Sequence, residues 1–250
     1  MITSLDTNKK IALISGAFGY VGFEISKKLA QDGICIAMLY NSTDDEVISQ
    51  KLSELPGEGH CVYKCDLKNK VVVDNVLDAV ENDMGRITIF IHAAGKKPKR
   101  KALIVSSIDD LKDQFENNIV PSFNFFTACA KRLKTQKDGI LIGITTVGVI
   151  IPEATRSLGL YIPAKYAIQG MLVMLKEELA LLGIRVYSIA PGFMYGGMND
   201  DIPKAFVEII KEKTTYKKLT TAVDVAEQIS YLCSDKSKKE KKLTFVVSKE

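Results

Sequence analysis

The sequence predicts an α/β fold, a doubly wound parallel sheet of about seven strands with helices on both faces. Three observations predict it. Short apolar runs recur seven times along the 250 residues, segments of helical spacing separate most of them, and runs such as "ITIFI" are apolar without alternation. The last property fits central strands that are covered on both sides.

The strand runs are, in order, "KIALIS", "ICIAMLY", "CVYKC", "ITIFIHAA", "ILIGITT", "IRVYSIA" and "LTFVV". After the first comes "SGAFGYVG", Ser15 to Gly22, then the helix-like "FEISKKLAQDG", which Gly33 closes. After the second, Thr43 and Glu46 fit a capping box opening "DDEVISQKLSEL", which stops before "PGEG". "YIPAK" opens the longest helix at Tyr161, and "LLG" with Gly183 ends it. Pro163 is compatible with a first turn, where its missing N–H is not needed. No repeat, low-complexity tract or linker interrupts the chain, so one domain over residues 1–250 is expected.

Composition narrows the function. At 46% hydrophobic and 26% charged this is an ordinary globular chain with a substantial core. Its net charge of +4, with acids balancing lysines over most of the length, argues against general nucleic-acid binding. No apolar run reaches the roughly 18 residues of a membrane helix, "ILIGITTVGVII" included, and "MITSLDTNKK" lacks the apolar core of a signal peptide. A cytoplasmic protein without membrane association is expected. Cys35, Cys61, Cys65, Cys129 and Cys233 form no Cys-x-x-Cys pair and read as reduced thiols, with no metal site. With only His60 and His92, a hydrolase triad is hard to build.

Glycines at 16, 19 and 22, between a buried strand and a helix, let backbone N–H groups and the helix N-terminus approach a phosphate. The spacing Gly-x-x-Gly-x-x-Gly departs from the usual Gly-x-Gly-x-x-Gly, so by itself the loop is either a dinucleotide cradle or a tight turn. Tyr161 and Lys165, four residues apart, share a helix face. They form either a surface pair or an acid/base pair in which the ammonium lowers the phenol pKa toward neutrality.

Together these features resemble the short-chain dehydrogenase/reductase family, in particular its 3-oxoacyl-carrier-protein reductases, over nearly the whole chain. "YIPAK" is similar to the family's Tyr-x-x-x-Lys and "ILIGITTVG" to the strand carrying its serine. "HAAG" at 92–95 resembles its Asn-Asn-Ala-Gly, and "IAPGF" at 189–193 its Pro-Gly motif. The resemblance implies a Rossmann-type fold. It also implies that Tyr161 donates a proton to a substrate carbonyl, while Lys165 lowers the tyrosine pKa and hydrogen-bonds the nicotinamide ribose. Thr146 stands where the family has its serine, with Thr145 as the alternative, and Asn118 in "FENNIVPSF" matches the asparagine that binds a relay water, beside Asn117.

For the dinucleotide the resemblance implies Gly16, Phe18, Gly19, Tyr20, Val21 and Gly22 at the pyrophosphate and Asp66 and Leu67 at the adenine. Asp66 also reads as a strand-end turn residue. Ala93, Ala94, Gly95, Lys165, Pro191 and Gly192 complete the cofactor-binding set. The second strand ends "LYNSTDD", placing Asn41 and Ser42 where an NAD site usually has an acid; Asp44 and Asp45 face a helix N-terminus. An uncharged pair accommodates a 2′-phosphate, so NADP(H) is expected and NAD is possible, although Phe18 occupies a position where NADP-dependent relatives often carry a basic residue.

Some positions depart from the family. The glycine spacing resembles the extended, nucleotide-sugar branch, yet only about 55 residues follow the Pro-Gly motif, too few for that branch's substrate domain. The threonine expected beyond Pro-Gly is missing from "PGFMYGGMND", where Gly196 and Gly197 stand. His92 replaces an asparagine and is expected to be a satisfied core or strand-end histidine.

The implied function is an NADP(H)-preferring oxidoreductase that reduces a ketone or 3-oxoacyl group, or runs the reverse, on a small substrate or one borne by an acyl carrier protein. The alternatives are a non-catalytic dinucleotide-binding regulator and a nucleotide-sugar epimerase or dehydratase. A homotetramer or homodimer is expected through "NNIVPSFNFFTACAKRL" and "YAIQGMLVMLKEELALL". "EATRSLGL" and "FMYGGMNDDIPKAF" are expected to form pocket wall and lid, with Met194, Tyr195 and Met198 lining the pocket or packing the lid. "KKPKRK" at 96–101 is either a solvated loop or a receiver for an anionic substrate or carrier; "KSKKEKK" at 236–242 reads as solvated.

Overall fold

A computed structural model of the chain describes residues 9–150, 157–214 and 217–248. The strands are β1 (Ile11–Ser15), β2 (Cys35–Tyr40), β3 (Cys61–Lys64), β4 (Ile89–His92), β5 (Ile140–Ile144), β6 (Arg185–Pro191) and β7 (Thr244–Val247). All pair in parallel in one sheet of order β3-β2-β1-β4-β5-β6-β7. The helices are α1 (Tyr20–Gln31), α2 (Asp45–Ser53), α3 (Lys70–Met84), α4 (Ile108–Gln114), α5 (Val120–Gln136), α6 (Tyr161–Leu179), α7 (Lys204–Lys213) and α8 (Ala222–Cys233).

Each face of the sheet has its own core, which is why the strands read as unbroken apolar runs. In β1, Ile11 and Leu13 point to one side with Phe90, Phe125, Phe126 and Leu172, under α3, α5 and α6. Ala12 and Ile14 point to the other with Ile25, Leu29, Tyr187 and Ile229, under α1 and α8. The chain reverses its winding between β1 and β4, and the carboxyl ends Ser15 and His92 pair there. A crevice opens at such a switch point.

Helix ends follow the sequence in part. Gly33 and Gly183 take left-handed φ values of +80° and +73° just beyond α1 and the turn that extends α6. The capping box expected at Thr43 and Glu46 does not form. α2 begins one residue later, its N-cap is Asp44 without a side-chain cap bond, and Asp45 and Glu46 favour the first turn through their charge. Capping boxes form instead at Ser107/Asp110 on α4 and Thr221/Asp224 on α8, while Asn69 caps α3.

A single π turn, Phe115–Ile119, joins α4 to α5. Pro121 has no N–H to offer the carbonyl four residues earlier, Asn117, so the α register shifts at that point. No helix among the described residues is long and apolar enough to cross a membrane.

Candidate active site

The loop after β1 is shaped by its glycines. Gly16 has φ +69°, and a Cβ there would fall 2.6 Å from the Ala94 nitrogen; at Gly22 it would fall 2.1 Å from the Gly16 oxygen. The Gly19 N–H donates to the Gly16 carbonyl at 3.0 Å, which starts α1 at Tyr20. Unlike α4 and α8, α1 has neither a side-chain cap nor an acid in its first turn. Its first N–H groups thus have no side-chain cap, an arrangement in which a helix N-terminus can receive an anion.

One cleft of 1220 Å³ runs from this loop across the carboxyl ends of the strands. Gly16, Phe18, Gly19, Tyr20, Val21 and Gly22 line it at the loop, and Asn41, Ser42, Asp66 and Leu67 at the β2 and β3 ends. Ala93, Ala94, Gly95, Pro191 and Gly192 line its centre, with Thr146, Tyr161 and Lys165 beyond. Asp66 closes a turn, its Oδ1 accepting from the Lys68 N–H at 3.0 Å, as the strand-end reading expects, and it also lines the cleft. Phe18 sets its ring edge-on to Tyr40, and its carbonyl accepts from the Lys51 Nζ at 2.7 Å. Those residues and that volume fit a dinucleotide.

Thr145 and Thr146 differ in burial. Both line the cleft, but the Thr145 hydroxyl is buried between the Ser188 hydroxyl at 2.9 Å and the Ile189 carbonyl at 3.1 Å, whereas Thr146 is half-buried. Lys165 is only 6% exposed and its Nζ donates to the Ile144 carbonyl at 2.9 Å. Burial lowers its pKa to about 8. The ammonium lies 5.7 Å from the centre of the Tyr161 ring.

The expected depression of the phenol pKa is not found in the chain by itself. Burial pushes Tyr161 up to about 12, because leaving water costs the phenolate more than a lysine engaged with a carbonyl returns.

Asn118 is buried behind the cleft wall. Its Oδ1 accepts from the Lys96 N–H at 2.9 Å and its Nδ2 donates to the Gln114 Oε1 at 3.0 Å; Asn117 lines the cleft in front of it.

His92 is a core histidine, as expected, and it links distant parts of the site. The Ser122 hydroxyl donates to the Asn118 carbonyl at 2.6 Å, so its oxygen accepts from the His92 Nε2 at 2.9 Å. That fixes the tautomer, and the Ser15 hydroxyl must donate to Nδ1 at 2.7 Å. A one-directional chain therefore runs from the end of β1 to the π turn. Burial, and next the Lys165 charge, lower the His92 pKa to about 3, so it is neutral. Sequence reading missed this chain because its members lie 77 and 30 positions apart and only the fold joins them.

At the outer end the basic loop is matched by acids. Lys96 pairs with Asp113 at 2.7 Å, and Lys101 with Asp110 at 2.7 Å. Lys97 pairs with Asp200 at 2.5 Å and Asp201 at 3.3 Å, and Arg100 donates to the Asn199 Oδ1 at 2.8 Å. The loop is solvated, with the side chains of Lys96, Lys97, Lys99 and Lys101 each more than 40% exposed, and its cations are matched by neighbouring carboxylates. Met194 and Met198 line the cleft, as do Leu158, Lys213 and Thr214. Tyr195 is more than a third exposed. Of "EATRSLGL", residues 153–156 lie outside the described residues.

Residues 16–247, from the glycine loop to the last strand, match the family model described as enoyl-(acyl carrier protein) reductase. The chain is a short-chain dehydrogenase/reductase. As a member of that family it is an NAD(P)-dependent oxidoreductase. The short-chain dehydrogenase/reductases it resembles include a 3-oxoacyl-[acyl-carrier-protein] reductase of Bos taurus. The two are 24% identical over 223 residues, covering 89% of this chain and 90% of the relative. In fold it is similar to an actinorhodin polyketide ketoreductase with NADPH, with TM-score 0.87, 20% identity and coverage of 99% and 98% of the two chains. It is equally similar to an NAD+-bound xylitol dehydrogenase, with TM-score 0.88, 20% identity and coverage of 98% and 100%.

Proposed function

We propose that this chain is an NADP(H)-preferring carbonyl reductase, with Tyr161 as the proton donor. The observation that carries the reading is the convergence of Thr146, Tyr161 and Lys165 on the cleft that begins at the glycine loop. Names of relatives support the substrate class, since the bovine relative is a 3-oxoacyl-carrier-protein reductase and the structural neighbour a polyketide ketoreductase. A bound nicotinamide dinucleotide supplies or accepts the hydride.

The chain's own groups do the rest. Thr146 holds the carbonyl oxygen by a hydrogen bond, and the Tyr161 hydroxyl gives that oxygen its proton. Lys165, held by the Ile144 carbonyl, keeps a positive charge beside the phenol and reaches the nicotinamide ribose. Asn118 holds the π turn through its side chain and its carbonyl, next to the relay water the family reading assigns it. At the other end, Asn41 and Ser42 are exposed and uncharged, which supports 2′-phosphate over ribose-diol recognition. Phe123 on α5 and Val173 and Met174 on α6 are exposed apolar residues, and we assign them to a homodimer or homotetramer contact that light scattering would read directly.

The test is oxidation of NADPH and of NADH, followed by absorbance, against ketones and 3-oxoacyl thioesters. The parent should turn over, with NADPH preferred. Tyr161→Phe should lose on the order of 10²–10⁴-fold in kcat while still binding the dinucleotide. Turnover unchanged in that variant would refute the assignment of Tyr161. Tight dinucleotide binding without turnover of any substrate would favour a regulatory role.

A further inference from the structure

The basic loop and the segment after β6 face each other across the outer end of the cleft. Arg100, a quarter exposed, donates to the Asn199 Oδ1 at 2.8 Å, and its Nε lies 3.6 Å from the Asp201 carboxylate. Lys97 reaches Asp200 at 2.5 Å and Asp201 at 3.3 Å. Asn199 also donates to the Met194 carbonyl at 2.8 Å, folding the segment on itself. All three acceptors lie on consecutive residues, between the left-handed Gly196 and Gly197 and Pro203.

Between the same two boundaries Met198 reaches inward. A Cβ added to Gly95, at the centre of the cleft, would lie 3.3 Å from the Met198 methyl carbon. Exposed ion pairs are individually weak. Here several act on one short piece of backbone, and the side chain carried by that piece forms the roof over Gly95.

We propose that Lys97 and Arg100 are positioning residues that clasp residues 194–202 over the cleft, so that the basic loop closes the reaction chamber and does not receive an anionic substrate. The inference rests on the reading of the cleft as the dinucleotide and carbonyl site, but the clasp can be measured without either ligand.

The experiment compares four full-length proteins: the parent, Lys97→Glu/Arg100→Glu, Asp200→Lys/Asp201→Lys, and all four changes together. Hydrogen–deuterium exchange of residues 194–202 is followed in the ligand-free protein. Each double variant should exchange at least about fivefold faster, and the charge-swapped quadruple should return to within about twofold of the parent. Steady-state kinetics should follow, with KM rising in each double variant more than kcat falls, and recovering in the quadruple.

Two results overturn the proposal: exchange at 194–202 that is the same in all four proteins, or faster exchange in the double variants without recovery in the quadruple. A receiver for anions would show itself differently. Asp200→Lys/Asp201→Lys would then lower KM for an anionic carbonyl substrate, and the quadruple would stay impaired. Absence of NADPH binding by the parent would refute the reductase reading and leave the exchange result standing.

Discussion

The two ends of the cleft are built on different principles. At the glycine-loop end the surface is backbone, brought close by glycines and locked from beneath by a buried chain of hydroxyls and one neutral imidazole. At the outer end the surface is side chains, held by ion pairs whose members are partly exposed. The first arrangement resists any change in shape. The second resists little individually and moves with ionic conditions. The difference fits the proposed function, in which one end would recognise a dinucleotide of constant shape and the other would accommodate a carbonyl substrate.

The strongest attack on this contrast is Gly22→Ala. An added Cβ 2.1 Å from the Gly16 oxygen has no flexible neighbour to displace, so the loop itself must move. Loss of dinucleotide binding is expected, together with about 3 kcal/mol of stability, measured by NADPH fluorescence titration and thermal melting. Retained nanomolar or micromolar binding would show that the floor is softer than its geometry implies.

A smaller effect is expected from His92→Phe, which keeps a ring against Phe125 and Phe126 but removes both hydrogen bonds. A loss of about 1–3 kcal/mol follows from two buried hydroxyls left with one partner fewer. The pH dependence carries more information. The folded pKa of His92 is lowered to about 3 from 6.5, so between these values the unfolded chain binds the proton and the folded one does not. Stability is therefore present in full above pH 6.5 and is lost as pH falls from 6.5 toward 3. In the phenylalanine variant this acid-side decline should flatten, as read by melts from pH 7 to pH 4. An identical decline in both proteins would mean that His92 is not the group responsible. Variants of the ionic wall should leave the melting temperature nearly unchanged, which separates local opening from global unfolding.

Strand positions, the long helix at Tyr161 and the glycine loop were legible because each depends on neighbours in sequence. The periodicity of two in β1 and the left-handed glycines at 33 and 183 are local properties. What local reading could not reach was partnership. Thr43 and Glu46 have the right spacing for a cap, yet the helix starts at Asp45; Ser107 and Thr221, which do cap, went unnoticed. The run "KKPKRK" reads as unpaired charge until the fold brings Asp110, Asp113 and Asp200 to it. Likewise the phenol at Tyr161 was assigned its neighbour's charge by spacing, whereas burial dominates.

Tyr20 connects the two ends. It is the first residue of α1, and its side chain lies under Gly196 and Gly197, close enough that a Cβ on either glycine would come within 3.2 Å and 3.1 Å of its ring. The pivot of the outer segment thus rests on a residue of the phosphate loop. If a ligand at one end shifts that ring, equilibrium linkage makes the effect mutual: whatever factor the dinucleotide contributes to substrate affinity, the substrate returns to the dinucleotide.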